Sequence, residues 1–141
     1  MKPKINFRSI VIAGSLLLPL SFILSAYTLL GNDPWVAPES AKKLKNPVEV
    51  NDESIAAGKT IYTASCKSCH GTKGKGDGPK ASSLDKECGD FTTEKFQSQT
   101  DGEIYWKTTE GKDPMPSFKT KLTDEKRWQV VNYIRTLVPK K

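Results

Sequence analysis

Residues 64–79 read ASCKSCHGTKGKGDGP. They hold Cys66 and Cys69, two of the chain's three cysteines, and His70, its one histidine. These soft side chains within one short stretch admit three chemistries: a metal site, a dithiol for disulfide exchange, or a covalently held cofactor. Features far from this stretch decide among them.

Cys66-Lys67-Ser68-Cys69-His70 is C-x-x-C-H, the attachment signature for c-type haem. Two cysteines three positions apart on a helical turn can add to the two vinyl groups of one haem. The histidine directly after them projects its imidazole onto the iron. With no second histidine, bis-histidine ligation within one chain is excluded. The methionines are Met1 and Met115, and Met1 precedes a long apolar run, so Met115 is the candidate sixth ligand. It lies in GKDPMPSFKT, where Pro114 and Pro116 stiffen the backbone on both sides. A thioether opposite an imidazole raises the haem potential and leaves no open iron position for a substrate.

Two rivals remain on paper. Cys66, Cys69, His70 and Cys88 make up a Cys3His zinc set, but adjacent Cys69 and His70 rarely converge on one tetrahedral ion. Zinc also leaves Met115 unexplained. A redox dithiol calls for a strand-rich thioredoxin pattern, and no run here alternates as a strand does. Cys88 is left over in the haem reading, either buried and inert or paired between chains.

Lys2, Lys4 and Arg8 precede Ser9–Leu30, which carries no charge. About 22 residues at 1.5 Å rise give roughly 33 Å of helix, enough to cross a bilayer core. The run predicts an uncleaved anchor or, alternatively, a cleaved signal peptide. The basic start keeps the N-terminus cytoplasmic, so either reading puts the remainder outside, in the periplasm, where c-haem is attached. Expected segments are a basic cytoplasmic start (1–8), the anchor or signal (9–30), a proline-rich linker or strap (31–51), and the haem domain (52–141). The net charge of +6 falls to about +3 once the three membrane-flanking charges are set aside. No lysine cluster alternates with aromatics, so nucleic-acid binding has no support. Trp35 in the linker suits either a membrane interface or packing on the domain.

Three helices are expected. The first runs from about Glu53 to Cys66, capped by Asn51, Asp52 or Ser54. The second is TDGEIYWKTTEG, capped by Thr100 or Asp101 and ended by Gly111. The third is TDEKRWQVVNYIRTLVP, capped by Thr123 and closed by Pro139, with Trp128, Val131, Ile134 and Leu137 or Val138 at helical spacing. A further short turn can start at Pro79. The predicted fold is all-α, three to four short helices and long loops around one covalent haem. So small a domain has a thin core and usually needs a staple, which the cofactor supplies.

From Asn51 to Leu137 the sequence resembles class I c-type cytochromes, the small monohaem electron carriers. The resemblance rests on GKTIYTASCKSCHG for the first helix, MPSF for the ligand loop and WQVVNYIRTL for the last helix. It implies that Gly58 lets the first and last helices touch, with Tyr62, Val130 and Tyr133 packed beside it. It implies haem c held by Cys66 and Cys69, with His70 and Met115 on the iron. In GKGDGP it implies a Pro79 carbonyl accepting from the His70 ring. FTTEKFQSQTDGEIYWKTTEG is similar to bacterial members in which a helix flanks the haem edge, so Tyr105 or Trp106 either meets the haem or simply packs.

The expected function is single-electron transfer in an extracytoplasmic respiratory chain, without enzymatic turnover of its own. The redox protein partners would be a quinol-oxidising complex on one side and a terminal oxidase or reductase on the other. The chain would be a tethered carrier or a fixed subunit of such a complex. A haem sensor or peroxidase would need an open iron. Lys67, Lys73, Lys75, Lys80, Lys112, Lys119 and Lys121 surround the expected haem loops in sequence and would steer an acidic partner.

Overall fold

The computed structural model describes residues 35–138. The basic start and the apolar run at 9–30 lie outside the described residues. Among the described residues no helix is long and apolar enough to cross a membrane.

The described chain is helical, and its only β pairing is an isolated bridge between Lys112 and Met115. Helices α1 (Glu39–Lys42), α2 (Asp52–Ser65), α3 (Lys67–His70), α4 (Glu94–Gln97), α5 (Asp101–Glu110) and α6 (Asp124–Arg135) are joined by long loops, with a 3-10 turn at Ala81–Ser83. The starts follow local chemistry. Asn51 and Ser54 close a reciprocal capping box on α2, and Thr100 and Glu103 close another on α5. Thr123 accepts from the Lys126 amide at the start of α6. Each such cap contributes about 1 kcal/mol. Helix α6 stops at Arg135, short of the expected end at Pro139, because the Thr136 amide turns back to Tyr133 and Ile134 carbonyls.

Helix α2 crosses α6 at Gly58. A Cβ there would stand 2.0 Å from the Gln129 carbonyl oxygen, so no side chain fits between the two backbones. Tyr62 and Tyr133 pack beside the crossing, ring centroids 5.1 Å apart, as the resemblance implies. The core comprises Tyr62, Phe91, Ile104, Trp128, Val130, Val131 and Ile134. Trp128, Val131 and Ile134 are the helical stripe read from the sequence, and each buried side chain contributes about 1.5–3 kcal/mol. Of the two candidates for the stripe's last position, Leu137 packs against the core and Val138 is 44% exposed.

Of the linker or strap expected over residues 31–51, the described part, from residue 35, packs on the domain as a strap. Ala37 and Ala41 are buried, and the Ala41 carbonyl lies directly over Gly102 of α5. Asn46 then donates to Asn132 Oδ1 at 2.6 Å, and Asn132 Nδ2 donates to Ser54 Oγ at 3.0 Å. This strap is therefore latched to α2, α5 and α6 by small residues and one buried amide. Trp35 is half-buried on the domain, with Lys107 Nζ 5.7 Å from its ring centroid.

Candidate functional site

Helix α2 ends where the C-x-x-C-H stretch begins. Cys66 caps α2 at its C-terminus and opens α3. The amides of Cys69 and His70 both return to the Cys66 carbonyl, at 3.1 and 3.0 Å. This tight turn carries the two thiols three positions apart, with the imidazole directly after the second. All three cysteines are free, and each is half-buried.

The glycine-rich loop folds back onto this turn. The Gly76, Gly78 and Lys80 amides donate to the carbonyls of His70, Cys69 and Ser68, at 3.0, 3.0 and 2.8 Å. A Cβ at Gly78 would meet the Ser68 carbonyl oxygen at 2.5 Å, which explains glycine at that position. Pro79 sits between two of these anchored amides. Tyr62 Oη donates to the Gly71 carbonyl at 2.8 Å, tying the turn to the core.

The His70 ring stacks on Phe91, centroids 4.4 Å apart. Its Nδ1 is buried without a partner, so the Pro79 carbonyl contact implied by the resemblance is not made here. Burial lowers the His70 pKa below its ordinary value, opposed by a backbone bond to Gly89. A neutral imidazole is the form that ligates iron.

Burial, and then the neighbouring Cys69, pushes the Cys66 thiol up to about 12. A disulfide-exchange cysteine needs a lowered pKa, so Cys66 is not the activated thiolate of a redox dithiol. Among the described residues, no group of three or more histidine, cysteine or acidic side chains is arranged to hold a metal ion. The Cys3His zinc set is thus not assembled. Cys88 stands beside Cys69, and burial first, then that neighbour, raises its pKa.

Met115 is presented by its own narrow loop. Lys112 and Met115 exchange backbone hydrogen bonds of 3.1 and 2.9 Å, and Met115 is half-buried. Of the aromatic pair on α5, Tyr105 is committed to packing: its ring stacks on Trp128 at 4.0 Å and its hydroxyl accepts from Arg127 at 3.0 Å. Trp106, next to it, is half-buried. The sequence reading missed Phe91, whose signal was an aromatic just after the glycine-rich loop, and Arg127, which carried no local signal.

The donor set fits haem. Two free thiols lie on one helical turn, the following imidazole is shifted by burial toward its neutral form and has a buried free nitrogen, and no zinc cluster is assembled among the described residues. With the α2–α6 crossing, these features define a class I c-type cytochrome domain.

The chain belongs to the family described as cytochrome c oxidase, cbb3-type, subunit III, whose sequence model matches residues 53–134. It is similar to a chain of the Kuenenia stuttgartiensis reducing HAO-like protein complex Kustc0457/Kustc0458, with 34% identity and a TM-score of 0.62. That match covers 82% of this chain and 55% of the other, so the present chain spans little more than half its length. It is also similar to the KustC0563 c-type cytochrome, with 28% identity and a TM-score of 0.52, over 58% of this chain and 98% of that one. Comparison with curated proteins finds no match. A cytochrome c domain implies haem-based electron transfer.

Proposed function

We propose that this chain is a monohaem cytochrome c that carries single electrons outside the cytoplasmic membrane, tethered or exported by residues 9–30. One observation carries the reading: a C-x-x-C-H turn with free thiols and an unpartnered, buried His70 Nδ1, within the stretch matched by a cytochrome c family. Cys66 and Cys69 would hold the haem through thioethers, and His70 and Met115 would ligate its iron. When bound, the haem would supply a one-electron couple. With both side chains ligating, the chain would leave no site for peroxide or a gaseous ligand and would need little rearrangement on transfer.

Phe91 fixes the His70 ring plane, and the amides of residues 76–80 fix the turn beneath it. Trp106 remains the α5 aromatic assigned to the haem edge. Lys67, Lys73, Lys75 and Lys80 are exposed around the C-x-x-C-H turn, whereas Lys119 pairs with Glu110 at 3.2 Å. The four exposed lysines form the face that meets an acidic redox partner.

The test is the visible spectrum of the purified full chain before and after acid–acetone extraction. Haem that stays with the polypeptide is expected, and haem that extracts, or no haem, would sink the reading.

A second reading has its own support. One similar structure belongs to a protein complex, and the family description is that of an oxidase subunit. The chain would then be a fixed subunit, relaying electrons from a quinol-oxidising complex to a terminal oxidase or reductase. Native mass measurement from mild detergent separates the two: a carrier runs alone, and a subunit brings its complex.

A further inference from the structure

Arg127 is a charged side chain only 4% exposed. It lies early in α6, which a surface helix would normally give to solvent. Its Nη1 donates to three backbone carbonyls, of Phe118 at 3.3 Å, Lys119 at 2.9 Å and Leu122 at 2.8 Å. Its Nη2 donates to the Tyr105 hydroxyl at 3.0 Å and to the Asp124 carboxylate. The guanidinium also lies over the Tyr105 ring, 5.3 Å from its centroid. One side chain thus joins α5, α6 and the segment between them. A guanidinium is always charged and presents its donors in a rigid fork, which suits it to several fixed carbonyls at once.

That segment carries Met115. On the α5 side the loop is pinned by Ser117 Oγ to the Thr109 carbonyl at 2.7 Å and by the Phe118 amide to the Thr108 carbonyl at 3.3 Å. Phe118 is buried three residues after Met115. On the α6 side the carbonyls of Phe118, Lys119 and Leu122 accept from Arg127. The methionine loop is therefore fastened at its C-terminal end on both sides, and on the α6 side the fastening is one buried cation.

We infer that Arg127 is a positioning residue for the sixth haem ligand, holding the Met115 loop so that the thioether stays on the iron. This rests on the His70/Met115 ligation proposed above. Removing the fork leaves the partly buried carbonyls of Lys119 and Leu122 without their donor, while the Phe118 carbonyl keeps the Lys121 and Leu122 amides, and acceptors without partners are costly away from water. The loop relieves that cost by moving outward toward water, and Met115 moves with it. The methionine then leaves the iron more often, and an added ligand competes more successfully.

The experiment is imidazole binding to the ferric full-length holoprotein, alongside its thermal midpoint. Arg127→Lys should bind imidazole on the order of tenfold more tightly than the parent. Val131→Ala, a core change that removes none of the fork's hydrogen-bond partners, should lower the thermal midpoint without that gain. Tyr105→Phe, which removes one acceptor of the fork and keeps the ring, should move imidazole affinity in the same direction by less, and it stands in if Arg127→Lys does not fold. Met115→Ala sets the upper limit. If Met115→Ala gains affinity while Arg127→Lys and Tyr105→Phe do not, or Val131→Ala gains as much as they do, the positioning role is overturned. If Met115→Ala itself gains nothing, the methionine ligation falls and this inference falls with it.

Discussion

The imidazole of His70 lies against the ring of Phe91, centroids 4.4 Å apart and planes inclined by 27°. Phe91 in turn packs on Tyr62 and Phe96, and its amide donates to the Gly74 carbonyl at 2.7 Å. One aromatic ring therefore couples the candidate iron ligand, the glycine-rich loop and the core. Phe91→Ala should destabilise the domain by about 3–5 kcal/mol, and Phe91→Leu by clearly less. Thermal unfolding followed by circular dichroism measures this, and equal small losses would mean that the ring is not holding the site.

Just before that ring, the Asp90 carboxylate accepts from the Thr92 amide and hydroxyl, both at 2.7 Å. The Thr92 hydroxyl first, then its amide, lowers the Asp90 pKa below the ordinary value of 3.8. A lowered folded-state pKa means that this turn's stabilisation is fully present above about pH 4 and is lost as pH falls through the folded value. Asp90→Asn keeps the acceptor and abolishes the titration. Its acid-unfolding curve should be shallower below pH 4 than the parent's. Superimposable curves would remove Asp90 from the acid response.

The α2–α6 crossing has no room at Gly58, where a Cβ would stand 2.0 Å from a backbone oxygen. Gly58→Ala must separate the helices, at a cost of about 1–3 kcal/mol. For a domain of this size the thermal midpoint should fall by about 4–8 °C per kcal/mol. An unchanged midpoint would show that the helices separate at no cost.

Thioether attachment and axial ligation respond to different substitutions. Cys66→Ser and Cys69→Ser should each leave haem with one thioether, shifting the reduced pyridine–haem spectrum toward that of a single unsaturated vinyl. Met115→Ala should keep both thioethers and lose the charge-transfer absorption of a thioether-bound ferric iron, with a lower midpoint potential. A Met115→Ala protein with the parent's absorption and potential would exclude that residue as ligand.

The exposed lysines at 67, 73, 75 and 80 predict salt-sensitive partner encounter. Replacing any two by glutamate should slow electron transfer at low ionic strength and flatten its dependence on salt. Stopped-flow reduction across a range of salt measures this, and an unchanged slope would move the docking face elsewhere.

Much of the site was legible because its chemistry is local. The spacing of Cys66, Cys69 and His70 fixes their relation within one helical turn, and the caps at Asn51, Thr100 and Thr123 act over three residues. Proline content, by contrast, left residues 35–50 open between a linker and a strap over the domain. Burial of Ala37 and Ala41 and the Asn46–Asn132 bond turn a nominal linker into a latched strap, through partners 86 positions apart in the case of the two asparagines. Tyr105 and Trp106 looked equivalent for the haem edge, and only the stacking of Tyr105 on Trp128 separates them.

The sequence by itself determined the donor chemistry and the helix starts, because each depends on residue type and on neighbours a turn away, whereas the glycine at the crossing came from the family resemblance. Tertiary structure alone decided that Phe91 backs His70 and that the buried Arg127 fork holds the loop carrying Met115. Those contacts join segments with no shared periodicity, and only the packed chain brings them within bonding distance.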